Sequence, residues 1–229
     1  MHRRVAPEIP AYLQETYWWA YLHENALWIF EREWMVNLIL WGNMKRLTAQ
    51  VLGETRLKPR SRVLQLACVY GDFTCRLAQR VAESGSRLDL VDVAPIQLRN
   101  ARHKLAQHRN VSFQHQDSSA LHYPDDSFDQ SVVFFLLHEQ PDEVRRATVR
   151  EAIRVTRPGG KIIFVDYHGP KRSNPLRYVM KPVLALLEPF AMDLWKDELS
   201  SWLPSDIPIR DVHTETSFGG LYQKMVVTR

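Results

Sequence analysis

Between residues 61 and 167 short β-prone runs alternate with helical stretches, and few folds accept that rhythm. Arg62-Val63-Leu64-Gln65-Leu66-Ala67 is a short apolar run ending in a turn at Val69 to Asp72. A helix is expected from Thr74 to Ala82, where Leu77, Ala78 and Val81 share one face. Arg87 to Val93 reads as a second strand, and Pro95, suited to a first helical turn, opens a helix expected to reach His108. Val111 to Asp117 is a third strand, and Phe128 to Phe135 a fourth that is almost continuously apolar. Such a run suits a strand covered on both faces, hence a parallel sheet. A helix from Asp142 to Val155 breaks at Arg157-Pro158-Gly159-Gly160 before a fifth strand, Lys161 to Tyr167. The expected fold is α/β, a doubly wound, mostly parallel Rossmann-like sheet.

The flanks differ from this middle zone. Residues 1–55 read as a helical, aromatic lid, and residues 56–229 as the main domain with a helical insert at about 174–204. Five of the seven tryptophans precede residue 56. Leu27, Phe30, Trp34, Leu38 and Trp41 recur at three- and four-residue steps, which predicts one helix with an aromatic face. That face either packs on the sheet or covers an apolar, ring-containing substrate and touches a membrane interface, where tryptophan is favoured. After Asn174-Pro175, helical segments are expected at Leu176 to Leu187 and Pro189 to Leu203. His213 to Thr228 looks like a closing antiparallel hairpin.

Composition narrows the partners. The formal charge is +4, spread along the chain, and no Lys- or Arg-rich arm argues for nucleic acid. Cys68 and Cys75 fit neither a disulfide framework nor a zinc knuckle. Arg3-Arg4 is followed by Pro7, Glu8 and Pro10 where a signal peptide needs an apolar stretch. The apolar-rich run Trp34 to Met44 is far short of the ~20 residues that span a bilayer. A cytoplasmic protein, peripheral on the inner membrane face, is the expectation; oligomeric state stays open.

In a doubly wound sheet the ligand sits at the carboxyl ends of the strands. The turn Ala67-Cys68-Val69-Tyr70-Gly71-Asp72 keeps only Gly71 at an expected glycine place. Ala67 and Val69 fill positions usually glycine, and Gln65 stands where an acid usually binds the amino group of a methionine moiety. Asp92 closes the second strand, 21 residues after Gly71, where a carboxylate can accept both ribose hydroxyls, with Val93 and Gln97 beside it. Asp117 closes the third, where it can accept an adenine amino group while the Ser118 amide serves the ring. Two acids ending successive strands beside a glycine turn point to S-adenosylmethionine. A nicotinamide cofactor fits poorly, because no G-x-G-x-x-G is present and Val69 and Tyr70 would crowd a pyrophosphate.

The fourth strand ends in Leu136-Leu137-His138-Glu139-Gln140-Pro141 and the fifth in Asp166-Tyr167-His168. Tyr70, His138, Glu139, Asp166 and His168 are candidates for acid–base work, or for two or three ligands of a cation such as Mn²⁺. The alternative is that His138-Glu139 and Asp166-Tyr167-His168 only cap strands and orient loops. The aromatic lid, with the helix around Pro182 to Met192 as a second wall, favours a lipid-like substrate over a sugar or nucleotide.

Tyr17-Trp18-Trp19-Ala20-Tyr21, Trp34 to Asn43, Ala67 to Asp72, Val91-Asp92-Val93-Ala94-Pro95-Ile96-Gln97-Leu98, Phe134 to Pro141 and Phe218 to Lys224 closely resemble the RquA family of rhodoquinone biosynthesis proteins. The likeness runs from Tyr17 to the end. It implies a methyltransferase-like fold and conversion of ubiquinone to rhodoquinone, a ring methoxy group being replaced by an amino group. In that family S-adenosylmethionine is the amino donor and Mn²⁺ assists; Glu139, Asp166 and His168 would be its ligands here, and Tyr70 or His138 the base. Two rivals remain: an ordinary methyltransferase acting on a quinone or similar ring, and a non-catalytic cofactor-binding partner of quinone enzymes.

Overall fold

The computed structural model describes residues 7–229, the side chains of 24–26 and 187 excepted, so the Arg3-Arg4 pair lies outside it. Five parallel strands form the centre: β1 (Arg62–Leu66), β2 (Arg87–Asp92), β3 (Val111–His115), β4 (Phe128–Phe134) and β5 (Thr156–Tyr167). The sheet runs β3-β2-β1-β4-β5-β7-β6, with β7 (Tyr222–Thr228) antiparallel to both β5 and β6 (Asp211–Ser217). The order reverses between β1 and β4, which opens a crevice beyond their carboxyl ends. The doubly wound, mostly parallel sheet expected from the sequence is present.

Helices α5 (Phe73–Glu83), α6 (Pro95–Lys104) and α7 (Asp142–Val155) are the crossovers, preceded by α4 (Met44–Glu54). α5 buries Phe73, Leu77, Ala78 and Val81 on one face, and the Phe73 ring stacks on Phe134 of β4 at 3.9 Å. Burying such a ring stabilises by roughly 1.5–3 kcal/mol. Cutting Phe134 back to alanine at this contact would cost about 3–5 kcal/mol.

Some expected boundaries shift. α6 stops at Lys104, not His108, and β3 stops at His115, so Asp117 lies in the following turn. The break at Arg157 to Gly160 is a bulge inside β5, where the register jumps from Phe128–Thr156 to Gln130–Lys161. After α8 (Leu176–Leu187), the second expected helix is two 3-10 turns, Pro189–Trp195 and Leu199–Trp202.

The single aromatic helix is corrected most. The segment is α1 (Ala11–Thr16), a π-turn at Trp18–Leu22, α2 (Glu24–Phe30) and α3 (Glu33–Ile39), broken at Arg32 by extended backbone. Its large apolar residues mostly stay exposed, with Trp28 at 69% and Leu38 at 65%, so packing on the sheet does not account for them.

Candidate active site

The carboxyl ends of β1, β2 and β4 open into a cavity of about 620 Å³ roofed by the aromatic segment and walled by α8. Ala67, Val69, Asp92, Val93, Gln97 and Ser118 of the expected cofactor set line it, as do Tyr70, His138 and Glu139. Gln65, Gly71, Asp117, Asp166 and His168 do not line it.

The turn after β1, where the cofactor is expected, is strained. Ala67 takes φ +71°, the left-handed region where glycine is usual, and Gly71 takes φ +77°. Asp92 fixes the turn: its Oδ2 accepts the Cys68 amide and its Oδ1 the Ala94 amide, each at 2.7 Å. Burial raises the Asp92 carboxyl above its ordinary range, although those amides hold it down. Gly71 supports the turn from behind, its carbonyl accepting Lys104 Nζ at 2.6 Å.

Gln65 is fully buried below this turn. Its amide donates to the Ala67 carbonyl and to Thr74 Oγ1, both at 2.9 Å, so it packs strand to helix and leaves the cavity. Asp117 turns away too, its Oδ1 accepting the Ser119 amide and hydroxyl. Ser118, bonded to Thr148 and Gln140, is what the end of β3 contributes to the wall.

Tyr70 belongs to the roof. Its hydroxyl donates to the Ala20 carbonyl at 2.5 Å and accepts Gln97 Nε2 at 2.7 Å. Its ring stacks on Tyr21 at 5.7 Å and on Phe30 at 5.6 Å. Burial pushes its pKa far up, so a role as base is set aside: the hydroxyl fastens the roof instead. Glu31 adds a second fastening, bonding Lys104 and Asn100 of α6.

Beyond the carboxyl end of β4, His138 and Glu139 form a 3-10 turn. The preceding Phe135 takes φ +51°, strain of a kind that gathers at functional sites. Asp166 lies underneath. Its carboxylate accepts the amides of Leu137, His138 and Tyr167 and pairs with His138 Nδ1 at 2.9 Å. Four donors occupy it, so Asp166 orients His138 and has no lone pair aimed at a ligand. Burial alone would lower the His138 imidazolium; the Asp166 charge and bond, helped by Glu188 and Glu139, carry it to about 9.

His138 Nε2 lies 3.6 Å from Glu139 Oε1, which also accepts the Tyr21 hydroxyl. Burial, with the Glu188 charge, raises Glu139 to about 8, His138 and Tyr21 opposing. Glu188, just after α8, lines the same space, and burial lifts it as well. Tyr12 and Glu188 have no place in the sequence reading, and Tyr21 enters it only as part of the aromatic run Tyr17 to Tyr21. The usable signals were faint: Tyr17 and Tyr21 at a four-residue step, and Glu188 as the one acid between Leu176 and Met192.

Arg145 of α7, fully buried, joins the two walls. Its guanidinium donates to the carbonyls of Leu137, Gln140 and Phe190, tying the His138–Glu139 turn to the segment after Glu188.

The ligand set Glu139, Asp166 and His168 does not assemble. His168 is tied to the last hairpin, Nδ1 donating to the Gly220 carbonyl at 2.7 Å, and Asp166 is saturated. Among the described residues no group of three His, Cys, Asp or Glu side chains is placed to hold a metal ion. The residues present do not fit the Mn²⁺ site expected of them.

Residues 63–160 match the profile of a methyltransferase domain family. The chain is 28% identical over 159 residues to a demethylmenaquinone methyltransferase of Staphylococcus saprophyticus, covering 69% of this chain and 65% of that one. It is 33% identical over 129 residues to the ubiquinone/menaquinone biosynthesis C-methyltransferase UbiE of Proteus mirabilis, covering 55% and 49%. The chain thus spans about half to two thirds of the length of the curated relatives it matches. Among solved structures, a SAM-dependent methyltransferase of Aquifex aeolicus aligns with TM-score 0.50 at 19% identity over 79% of this chain and 88% of that one. The cyclase SpnF aligns with TM-score 0.53 at 15% identity over 80% of each chain. Such distant likeness concerns the fold alone. Residues 63–160 are thus similar to a methyltransferase domain family, on a doubly wound, Rossmann-like fold.

Proposed function

We propose that the protein transfers a methyl group from S-adenosylmethionine to a ring carbon of a lipid quinone in its hydroxylated form, at the face of a membrane. The observation that carries this is one continuous, mostly apolar cavity with the Asp92 turn at one end and the His138–Glu139 pair at the other. Similarity to methyltransferases of menaquinone and ubiquinone biosynthesis supports the ring class.

Asp92, Gln97 and Ser118 and the turn at Ala67 to Val69 would hold the cofactor, which when bound supplies an electrophilic methyl on a sulfonium. The ring carbon would bond the methyl as the carbon–sulfur bond breaks, its electron pair staying on sulfur as a thioether, and the ring carbon must then lose its proton. Glu139, held near 8, is a base matched to neutral pH, and the His138 imidazolium beside it steadies its charge. Tyr21 and the roof exclude water from this step.

One observation favours a second reading. Gln65 is neutral and withdrawn from the cavity, so the usual acid for the cofactor's ammonium is missing. An amine not pinned by a carboxylate is what amino-for-methoxy exchange on ubiquinone, with the cofactor as amino donor, requires. Product mass separates the two: methyl transfer adds one CH₂ to the acceptor, whereas methoxy-to-amino exchange lowers its mass and carries label from the cofactor's amine. Neither product from quinone acceptors would overturn both.

A further inference from the structure

α3 with the turn after it presents Trp34, Leu38 and Trp41 at steps of four and three residues. α8 presents Val179, Val183 and Leu186 at the same steps. That spacing puts Trp34 with Leu38 on one face of α3 and Val179, Val183 and Leu186 on one face of α8, and Trp41 follows in the turn after α3. Both faces are open: Trp34 is 58% exposed, Leu38 65% and Leu186 81%, with Tyr178 beside them at 71%. α8 already buries Met180 and Leu184 against the protein, so its outward stripe is surplus to the fold.

The two stripes meet at the cavity. Trp41 Nε1 donates to Met180 Sδ at 2.8 Å, and Leu38, Trp41 and Val183 belong both to the exposed stripes and to the cavity lining. The apolar mouth of the site therefore opens between them. Charge says what covers it. Arg32, Lys45, Arg46, Lys171, Arg172 and Lys181 are exposed in these segments, and Glu33 is the one exposed acid within 31–50 and 171–187. Tryptophan and tyrosine suit the headgroup level, and lysine and arginine stems reach along an apolar surface toward anionic heads. A second copy would bring the same cations against these.

We infer that the α3 and α8 stripes dock on a bilayer rich in anionic lipid and open the cavity directly into it, so that a lipid acceptor enters without crossing water. This rests on the proposed lipid acceptor and adds the surface and the lipid charge.

Flotation of the full chain with vesicles tests it, using phosphatidylcholine alone and phosphatidylcholine with one part in three phosphatidylglycerol. The chain should float with the anionic vesicles about tenfold better than with neutral ones, and salt should weaken that preference. A Trp34→Ser/Leu186→Asp double variant, at positions outside the cavity lining, should lose about tenfold in retention. It should keep cofactor binding and turnover of a short-chain, water-soluble quinone acceptor. Equal retention of variant and parent, no flotation of the parent, or a dimer in solution that the variant splits would each overturn the inference. Parent flotation lost in the variant, with no quinone turned over by either, would instead sink the proposed acceptor and leave the docking surface standing.

Discussion

Replacing Tyr21 by phenylalanine removes one hydroxyl from the cavity and keeps the ring that stacks on Tyr70. The Gln97 bond to the Tyr21 carbonyl also stays, so the roof remains fastened. In the intact protein that hydroxyl donates to Glu139 Oε1 and steadies its charged form. A hydrogen bond to a charged group contributes about 1.5–3 kcal/mol, and about 1.4 kcal/mol corresponds to one pH unit. Glu139, at about 8 in the intact protein, should therefore move up by roughly 1–2 pH units. If its carboxylate takes the ring proton, kcat/KM near pH 7 falls about 10–100-fold, following the ionised fraction.

The assay is the pH profile of kcat/KM with a soluble quinone acceptor. The rising limb should pass through about 8 in the parent and lie higher in Tyr21→Phe, with the alkaline plateau kept. An unmoved limb above a lowered plateau would refute the reasoning and make Tyr21 a matter of packing. Stability gives a second readout. Glu139 is raised above its ordinary 4.5, so its folded-state advantage is full below that value and is lost as pH rises toward 8. The variant, lacking the donor to the charged form, should lose more melting temperature at alkaline than at acid pH.

Three further substitutions probe other parts of the site. Asp166→Asn breaks the buried pair with His138 and should cost about 3–5 kcal/mol in denaturant unfolding near pH 6; because His138 is raised from 6.5 to about 9, the deficit should shrink as pH passes that upper value. Asp92→Asn should weaken S-adenosylmethionine about 10–100-fold in equilibrium titration, the equivalent of one charge-assisted bond; an unchanged Kd would remove Asp92 from the cofactor site. Ala67→Gly relieves a left-handed residue at about 1–2 kcal/mol and gives back about 0.4–1 kcal/mol in chain entropy, so a net gain of up to about 1.6 kcal/mol is expected in urea unfolding.

The central sheet could be read because its signals are local. The run at β4, the turn at Gly71 and Pro95 opening α6 each act within a few residues of themselves. The roof could not, since one helical period persists from Leu27 to Trp41 across a backbone break at Arg32 that periodicity cannot register. The site divides in the same way. His138 and Glu139 follow from their place at a strand end, whereas Tyr21 and Glu188 arrive from segments 118 and 49 residues away in sequence, where each looks like packing. Gln65 marks the sharper limit. A motif position assigns it to the cofactor, yet its amide nitrogen donates to Ala67 and Thr74, where a carboxylate would meet the Ala67 carbonyl oxygen as one acceptor against another. The substitution that removes the charge thus also frees the side chain to withdraw. Asp92, Glu139 and Glu188 remain as the carboxyls facing the cavity among the described residues, and the chemistry of this site must be sought in them.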